Sequence, residues 1–342
     1  MVIKFISFIF LLFFFSSCQS KIPKVVIPPK DTALTTPLNP PATAPNIEHI
    51  FEWNCDEPSF SDTGEQLIFW CSMPGFLKQQ QVFIKDLSTS KVKQITFING
   101  RIAGPQMVKQ DVIVFSSDTD KIKEMLTLDP NELEKDNYFE LYMYNLSKDE
   151  MVRLTNDSLP EGKINFINHI DPKIIYVKTT NKKNELILKN LQTLKEKTIY
   201  TTDFPILELK VDTLNQVLIT EEFNGKKMIK LRPIENQKSS LNADSTWPLF
   251  ENTQYNFYFN GNNNSLEYLE KKGNKTFFKA YNFSDKCENE LFIFQNENVS
   301  LLQRLANDST TFAWVERANG IKKINLGSLS LNTKSSCQKV NQ

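Results

Sequence analysis

The stretch ELYMYNLSKDEMVRLTND, residues 140–157, alternates large apolar side chains with other residues and turns at Ser147-Lys148-Asp149. An alternation with a period of two places every second side chain on one face of a β-strand. The stretch therefore predicts a hairpin of two antiparallel strands. Its core is an apolar residue, three further positions, and then Asn or Asp followed by an apolar residue, as in Leu141 to Asn145-Leu146.

This pattern occurs six times in the chain. Its Asn or Asp position, which Pro replaces once, falls at Asp86, Asn145, Asn190, Pro233, Asn282 and Asn325, so that successive copies are 43 to 59 residues apart. A second apolar strand precedes each copy, at Gln66–Cys71, Asp111–Ser116, Lys173–Lys178, Gln216–Thr220, Ser265–Leu269 and Thr311–Val315. Repeats with a period in the forties are typical of four-stranded propeller blades.

We therefore expect an all-β fold over residues 47–342, a six-bladed β-propeller of four-stranded antiparallel blades. The Asn or Asp supports the turn after the third strand by bonding to nearby backbone. Closing the ring removes most exposed sheet edges. The alternative is a set of hairpins that forms a sandwich or an unclosed meander, and the polar stretch from Asn236 to Trp247 leaves the boundary of the fourth and fifth blades open.

The first 17 residues predict a secretory signal peptide. Lys4 precedes the apolar run from Phe5 to Phe15, which is too short to span a bilayer. The following Phe15-Ser16-Ser17-Cys18 resembles the lipobox of bacterial lipoproteins, although that family usually has Leu where Phe15 stands. The resemblance implies cleavage before Cys18 and acylation of this cysteine, and several acyl chains hold a protein firmly on a membrane. The alternative is an ordinary signal peptide followed by a chance cysteine.

Residues 18–46 are expected to form a tether between the lipid and the propeller. The segment contains a large share of the prolines of the chain, and proline favours an extended, semi-rigid spacer. Gln19 follows the cysteine in place of the Asp that is typical of inner-membrane retention. The lipoprotein resemblance therefore implies the periplasmic side of the outer membrane, with the lipid anchor holding the protein on that membrane.

The charge is balanced, with 40 basic and 40 acidic residues. A protein that binds nucleic acid usually shows a basic excess or a basic patch. We therefore expect no nucleic-acid partner.

Four cysteines remain after the lipid cysteine, namely Cys55, Cys71, Cys287 and Cys337. In an exported protein, four thiols predict two disulfides, with three possible connectivities. Closeness in sequence favours Cys55 with Cys71 and Cys287 with Cys337. No pair has Cys-x-x-Cys spacing, which argues against a thioredoxin-type redox centre and a zinc knuckle. The alternative is four free, buried thiols.

The blades resemble the propeller of TolB and its relatives. The matching segments are Pro58-Ser59-Phe60-Ser61-Asp62-Thr63-Gly64, Gln94-Ile95-Thr96, Phe115-Ser116-Ser117-Asp118, Glu140-Leu141-Tyr142-Met143-Tyr144-Asn145 and Arg153-Leu154-Thr155. Asp62 and Thr63 replace the Pro and Asp of the family pattern. The match covers residues 56–157 and is faint from residue 160 onward, and the tether stands where TolB has an α/β domain. The resemblance implies the fold and a periplasmic setting, without implying membership of the Tol-Pal system.

The sequence contains no recognisable catalytic constellation. Its only histidines are His49 and His169, and it lacks a nucleophile elbow, a zincin helix and a phosphate loop. Asp118 and Asp120 carry possible calcium ligands, but without the spacing of an EF-hand, so we interpret them as a solvated turn. We expect no catalytic residue, no metal site and no cofactor.

Two connections between second and third strands are the candidate partner site. They are Ser72–Lys78 in blade one and about Ser117–Tyr138 in blade two, where Asp129-Pro130-Asn131-Glu132 predicts a short helix. Equivalent connections emerge on the same face of a propeller. We expect an apolar rim beside the axial opening, formed by Phe76, Leu77, Met125, Leu126, Leu128 and Leu133. Clustered exposed apolar side chains mark partner sites, although these residues equally fit packing against their own loops.

The sequence thus favours a non-enzymatic, periplasm-facing lipoprotein whose propeller binds protein or envelope partners through a loop-rich face. One alternative is a periplasmic enzyme, or a glycan or small-ligand binder, that uses the axial pocket. A second is a scaffold without a specific ligand.

Overall fold

In the computed structural model, six sheets follow one another around a common axis. The structure describes residues 48–49, 53–73, 76–98, 100–109, 111–119, 139–156, 159, 161–167, 172–180, 183–211, 216–224, 226–234, 246–248, 257–260, 265–282, 285–296, 298–305, 308, 310–331 and 338–339. The chain divides into two units, Met1–Ala44 and Pro45–Gln342. The first unit, with Cys18, lies outside the described residues.

The first three blades each begin with their innermost strand. Strand β1 (Glu48–His49) precedes blade one. Blade one contains β2 (Cys55–Phe60), β3 (Gln66–Met73), β4 (Phe76–Asp86) and β5 (Val92–Gln94). Blade two contains β6 (Ile102–Lys109), β7 (Val112–Ser117), β8 (Glu140–Asn145) and β9 (Glu150–Arg153). Blade three contains β10 (Glu161–Ile167), β11 (Lys173–Thr179), β12 (Asn184–Asn190) and β13 (Glu196–Thr202).

The remaining blades follow the same order. Blade four contains β14 (Ile206–Val211), β15 (Gln216–Phe223), β16 (Lys226–Pro233) and β17 (Thr246–Pro248). Blade five contains β18 (Phe257–Asn260), β19 (Ser265–Lys272), β20 (Lys275–Asn282) and β21 (Cys287–Phe294). Blade six contains β22 (Val299–Arg304), β23 (Thr311–Ala318) and β24 (Ile321–Ser328), and the last described strand is β25 (Gln338–Lys339).

The ring closes by pairing its two ends. Strand β1 completes blade six as its outermost strand, with Glu48 opposite Leu326 on β24. Closer to the axis, the Lys322 backbone N–H donates to Asn54 Oδ1 at 3.0 Å, and the Lys322 ammonium pairs with the Asp56 carboxylate. The prediction of a six-bladed propeller with four-stranded antiparallel blades is therefore confirmed. This closure excludes the unclosed meander, and β25 adds a fifth strand to blade five.

The second strand of each blade is the most buried because the sheet packs between two neighbouring blades. In β7, the side chains from Ile113 to Ser117 are all buried. One apolar cluster joins blades one and two, and a second joins blades two and three. The closure is packed in the same way, since Phe69 of blade one lies in a cluster with Val315 and Ile324 of blade six. The two ends of the ring are thus joined by apolar burial as well as by hydrogen bonds.

The repeated Asn or Asp supports a turn as predicted. Asn145 Oδ1 accepts the backbone N–H groups of Ser147 at 3.0 Å and Lys148 at 2.9 Å. Asn190 and Asn282 bond to the backbone in the same manner. At Asp86, hydrogen bonds from the Ser88 and Thr89 side chains and from backbone N–H groups lower the pKa to about 2. The repeat therefore encodes the turn between the third and fourth strands in these four blades. In blade six the prediction is wrong, because Asn325 is buried within β24 and its Nδ2 donates to Glu316 Oε2 at 3.1 Å.

A polar triad recurs in blades three and five. In blade three, Tyr176 Oη donates to Glu196 Oε1 at 3.0 Å, and Lys189 Nζ donates to the same oxygen at 2.7 Å. In blade five, Tyr268 and Lys279 both donate to Glu288. In each blade the Tyr, Lys and Glu come from the second, third and fourth strands. The triad ties the outer strand to the buried strands beneath it.

The predicted connection at Ser72–Lys78 is an extended hairpin instead of a loop. Strand β3 continues to Met73, which pairs with Phe76 at the start of β4. Two glutamines in β4 hold this extension against the segment that leads to blade two. Gln80 Oε1 accepts the Ile102 N–H at 2.6 Å, and Gln81 Oε1 accepts the Ile98 N–H at 3.0 Å. These contacts between distant segments explain why the local pattern failed there.

One predicted disulfide is present. Cys55 and Cys71 are bonded across a pair of facing residues on β2 and β3. Cys287 is also disulfide-bonded, whereas Cys337 lies outside the described residues, so the pairing of these two stays a prediction. The alternative of four free thiols is wrong.

Removing the Cys55–Cys71 bond should destabilise the propeller. The bond closes a loop with a sequence separation of 16, for which the chain-entropy model gives about 3 kcal/mol. We expect the Cys55→Ala/Cys71→Ala variant to lose a free energy of unfolding of this order, measured by denaturant titration under oxidising conditions. An unchanged midpoint would show that the cross-link does not stabilise the ring.

Blocking the β1–β24 pairing should also destabilise the propeller. Proline removes the backbone N–H, so the Glu48→Pro/His49→Pro variant should lose about 1–2 kcal/mol in denaturant titration. The matched control is Gln338→Pro/Lys339→Pro on β25, an added edge strand that does not close the ring. An equal loss in the two variants would contradict a special role of β1 in closure.

Candidate functional site

A cavity of about 700 Å³ lies at the axis of the ring. The first strands of blades one to four and of blade six contribute to its wall. The charged residues that line it are Glu57, Glu161, Lys163, Glu208 and Lys210, and amide side chains come from Gln106, Asn165, Asn184 and Gln303. This volume falls within the range of small-molecule and cofactor pockets.

The cavity lies toward one end of the ring, which we call the upper face. We define the upper face as the end at which the first strands begin and the second strands end. Ser116 and Thr179, near the ends of second strands, line the cavity, as do Phe139 and Asn184, where third strands begin. The long connection of blade two therefore leaves and re-enters its sheet at the cavity wall.

Bulges in the first strands shape the wall. Glu57, Gly104 and Lys163 occupy corresponding positions in β2, β6 and β10, with φ of 51°, 58° and 53°. The register of each strand shifts at this point. A bulge with a left-handed residue bends the strand and re-aims its side chains, and here two of the three bulged residues carry a charge.

Two of the bulged residues, Glu57 and Lys163, link their blade to the next. Glu57 Oε2 accepts the Gly104 N–H at 2.6 Å, and Lys163 Nζ donates to the Leu207 carbonyl at 2.5 Å. The inner edge of a first strand has no neighbouring strand, so its backbone groups need other partners. Side chains of the preceding blade supply them at these positions.

Amide side chains two residues further along continue these links. Gln106 Nε2 donates to the Ile164 carbonyl at 2.7 Å, and Gln106 Oε1 accepts the Phe166 N–H at 2.9 Å. Asn165 Nδ2 donates to the Leu209 carbonyl at 2.8 Å. The part of the wall between blades two and four is therefore held in place by hydrogen bonds.

Glu57 is held in an environment that disfavours its charge. Burial raises its pKa, and the nearby Asp56 carboxylate adds to this effect. Hydrogen bonds from the Gly104 N–H and from Trp70 Nε1, the latter at 2.9 Å, partly offset the rise, as does the charge of Lys322.

Lys210, in blade four, is a basic group whose charge is also disfavoured by burial. Burial lowers its pKa, whereas the carboxylates of Glu208 and Glu57 raise it and Lys163 lowers it. Blades one and four are opposite each other in a six-bladed ring, so the interaction of Lys210 with Glu57 acts across the axis. The cavity thus carries charges of both signs on facing walls.

Two exposed aromatic rings, Phe204 and Phe223, lie at the upper face, and Pro205, the residue after Phe204, lines the cavity. Phe204 precedes β14 and Phe223 ends β15, and their rings meet edge to face with centroids 4.9 Å apart. They are 36% and 41% exposed. The Phe204 carbonyl accepts Asn184 Nδ2, from the cavity wall, at 2.9 Å. The sequence analysis missed this pair, although Phe204-Pro205 just before an apolar strand was a usable signal.

Arg101 holds both ends of the long connection in blade two. Its backbone N–H and its Nε donate to the Asp118 carboxylate at 2.6 and 2.8 Å, and its guanidinium lies 5.0 Å from the centre of the Phe139 ring. Asp118 is only 4% exposed. The interpretation of this residue as part of a solvated turn is therefore wrong, because the carboxylate forms a buried ion pair.

Most residues of the predicted apolar rim lie outside the described residues. Met125, Leu126, Leu128 and Leu133 lie outside the described residues, as do Asp120 and His169. Phe76 and Leu77 lie on β4, and only their backbone is described. These residues stay candidate partner contacts, and His49 lies on the closing strand β1.

Two other features are absent from the described ranges. They contain no group of three or more His, Cys, Asp or Glu side chains with the arrangement of a metal site. Nor do they contain an apolar helix long enough to cross a membrane.

Replacing Glu57 by Gln should remove a pH-dependent loss of stability. A carboxyl whose pKa is raised by folding binds its proton more tightly in the folded state, so stability is lost as the pH rises above its ordinary pKa of 4.5. The Glu57→Gln amide keeps an acceptor oxygen and does not ionise. We expect its melting temperature, relative to the natural chain, to rise as the pH increases above 4.5.

The control for this titration is Glu150→Gln, at an exposed position on β9. Its melting temperature should follow that of the natural chain at every pH. A Glu57→Gln variant with the same pH profile as the natural chain would contradict the buried, disfavoured carboxylate.

Comparison with known proteins supports the fold and leaves the function open. No protein-family model and no curated protein matches the sequence. Among solved structures, TolB from Acinetobacter baumannii has a TM-score of 0.49 at 13% identity, covering 79% of this chain and 65% of TolB. This chain therefore spans less than two thirds of the length of TolB.

Two further similar structures match most of their own length. The Dos1 propeller has a TM-score of 0.50 at 9% identity, covering 86% of this chain and 96% of that one. An oligogalacturonate lyase from Vibrio parahaemolyticus has a TM-score of 0.47 at 10% identity, covering 84% and 97%. At such identities the likeness concerns the fold alone. The chain has a six-bladed β-propeller fold, and TolB is among the solved structures that it resembles.

Proposed function

We propose that this protein is a non-enzymatic binding protein of the bacterial cell envelope. Acylated Cys18 anchors it at the periplasmic side of the outer membrane, and the residues up to 46 tether the propeller. The propeller holds a protein or envelope partner at its upper face, over the axial cavity.

The observation that carries this proposal is the exposed pair of Phe204 and Phe223 beside the charged cavity. A single exposed apolar residue is normal on a protein surface. Aromatic side chains that border a concave polar site are typical anchors of an interface, because they bury a large area at little entropic cost. The face with the pair is also the face with the cavity.

The long connection of blade two adds to this face. Arg101 holds its two ends at the cavity wall through Asp118 and Phe139. We propose that Met125, Leu126, Leu128 and Leu133 of this connection contact the partner, together with Phe76 and Leu77 of the blade-one hairpin. The wall supplies polar contacts and the rim supplies apolar ones.

The hydrogen bonds of the cavity groups support binding over catalysis. Glu57 and Lys163 bond to the backbone of the next blade. A group committed in this way is a poor proton-transfer catalyst, because proton transfer needs the group in contact with the reacting atoms.

The second candidate is a small-ligand or glycan binder, or an enzyme, that uses the axial cavity alone. The cavity volume of about 700 Å³ favours it. In that case the rim would serve only as an entrance.

The test is cross-linking and affinity capture of the tagged, lipidated chain from its own envelope. We expect a protein partner with the natural chain and its loss, by about tenfold or more, in the Phe204→Asn/Phe223→Asn variant, since aromatic anchors contribute strongly to binding. A second variant, shortened between Ile122 and Asp136, tests the proposed contacts of the long connection.

Leu194→Asn is the matched control. Leu194 is 53% exposed in the turn between β12 and β13, at the opposite face of the ring. Capture should be unchanged in this variant. Equal capture by the natural chain and both upper-face variants would place the site elsewhere, and capture of no partner by the natural chain would favour the small-ligand candidate.

A further inference from the structure

The charged groups of the cavity wall restrict the chemical groups that a partner can place in the cavity. Lys210 lies in the cavity wall on β14. Within the described ranges, its ammonium makes no hydrogen bond or ion pair, and its electrostatic interactions are those with Glu208, Glu57 and Lys163. The cavity therefore contains a cation without a direct acceptor.

An ammonium without a direct acceptor is costly in a partly enclosed cavity. A partly desolvated ammonium loses hydration, and only a nearby acceptor restores the lost interaction. Lys163 differs, because it is exposed and already donates to the Leu207 carbonyl at 2.5 Å. The two lysines of the wall thus offer a matched pair, one with a backbone acceptor and one without.

The surroundings of Lys210 limit the charge of the group that it can bind. Glu208 lies two residues before it on the same strand, and Glu57 faces it across the axis. The carboxylates of Glu208 and Glu57 repel an incoming anion, and this repulsion grows with its charge. Among anions, one with a single negative charge therefore suits the ammonium of Lys210 better than a phosphate dianion. A carboxylate carries that charge and forms short, charge-assisted hydrogen bonds with an ammonium.

We propose that the partner places a carboxylate in the axial cavity and that Lys210 recognises it. This inference rests on the proposed function, because it names the group with which the bound partner enters the cavity. An acidic side chain and a chain terminus present the same chemistry to Lys210. An extended peptide segment fits a cavity of about 700 Å³, with its neighbouring residues on the aromatic pair at the upper face.

The test uses three short peptides and the complete mature chain. N-acetyl-Ala-Glu-Ala-amide carries its carboxylate on a side chain, N-acetyl-Ala-Ala-Ala carries it at the terminus, and N-acetyl-Ala-Gln-Ala-amide carries none. Binding is measured by NMR titration of the protein amide signals. We expect one or both of the acidic peptides to bind at the cavity, at least about tenfold more tightly than the Gln peptide.

Variants of the two lysines separate recognition from structure. Lys210→Met should weaken binding of whichever acidic peptide binds by about tenfold, because one charge-assisted hydrogen bond is lost. Lys210→Arg should retain most of the binding, and Lys163→Met should change it by less than about twofold. If Lys210→Met and the natural chain have equal melting temperatures, the variant is folded. If their melting temperatures differ, retained binding in Lys210→Arg still identifies recognition by the charge.

Equal binding of the Gln and Glu peptides, or unchanged binding in Lys210→Met, would overturn the inference. Its failure is distinct from failure of the proposed function. If the natural chain and Lys210→Met capture the partner equally, Lys210 has no role in binding, but the proposal of a binding protein stands. Lys210-dependent peptide binding without any captured protein supports the carboxylate site and points to a small carboxylate ligand.

Discussion

Closure of the ring is the constraint on which the rest of the structure depends. Each sheet buries its second strand only because a neighbouring sheet covers each of its faces, and the first and last sheets cover each other only when the ring closes. Three features close the ring: the pairing of strand β1, the contacts of Lys322 with Asn54 and Asp56, and the apolar cluster between blades one and six. Closure also creates the axial cavity, because it leaves the inner edges of the first strands facing one another.

Those inner edges connect the fold to the site. Their backbone groups have no strand to pair with, and bulges bring Glu57 and Lys163 to positions from which each bonds to the next blade. The same side chains give the wall its charge. Glu57 and Lys163 thus have a structural role, whereas Lys210 has no structural hydrogen bond in the described part of the chain.

The sequence predicted the repeat well because the repeat is a local property. Alternation in the second and third strands and the turn-supporting Asn or Asp lie within short stretches, and the second and third strands of all six blades form as expected. The exception is the turn in blade six, because Asn325 lies within β24 and the outer strand there is β1. The site was harder to predict. Phe204 precedes β14 and Phe223 ends β15, so the pairing of these two strands in blade four brings the rings together. Glu57 and Lys210 belong to opposite blades and face each other only in the closed ring. The hairpin at Met73 and Phe76 and the buried Asp118 likewise depend on contacts with residues distant in sequence.

The central claim is that a partner binds at the upper face. Site-specific photo-cross-linking tests it most directly, with a benzophenone amino acid placed at Phe223 in one chain and at Leu194 in another, both expressed in their own envelope. The two positions are exposed apolar sites at opposite ends of the ring. We predict a discrete cross-linked product from position 223 and none from position 194. A product from position 194 alone, or the same product from both positions, would contradict the account.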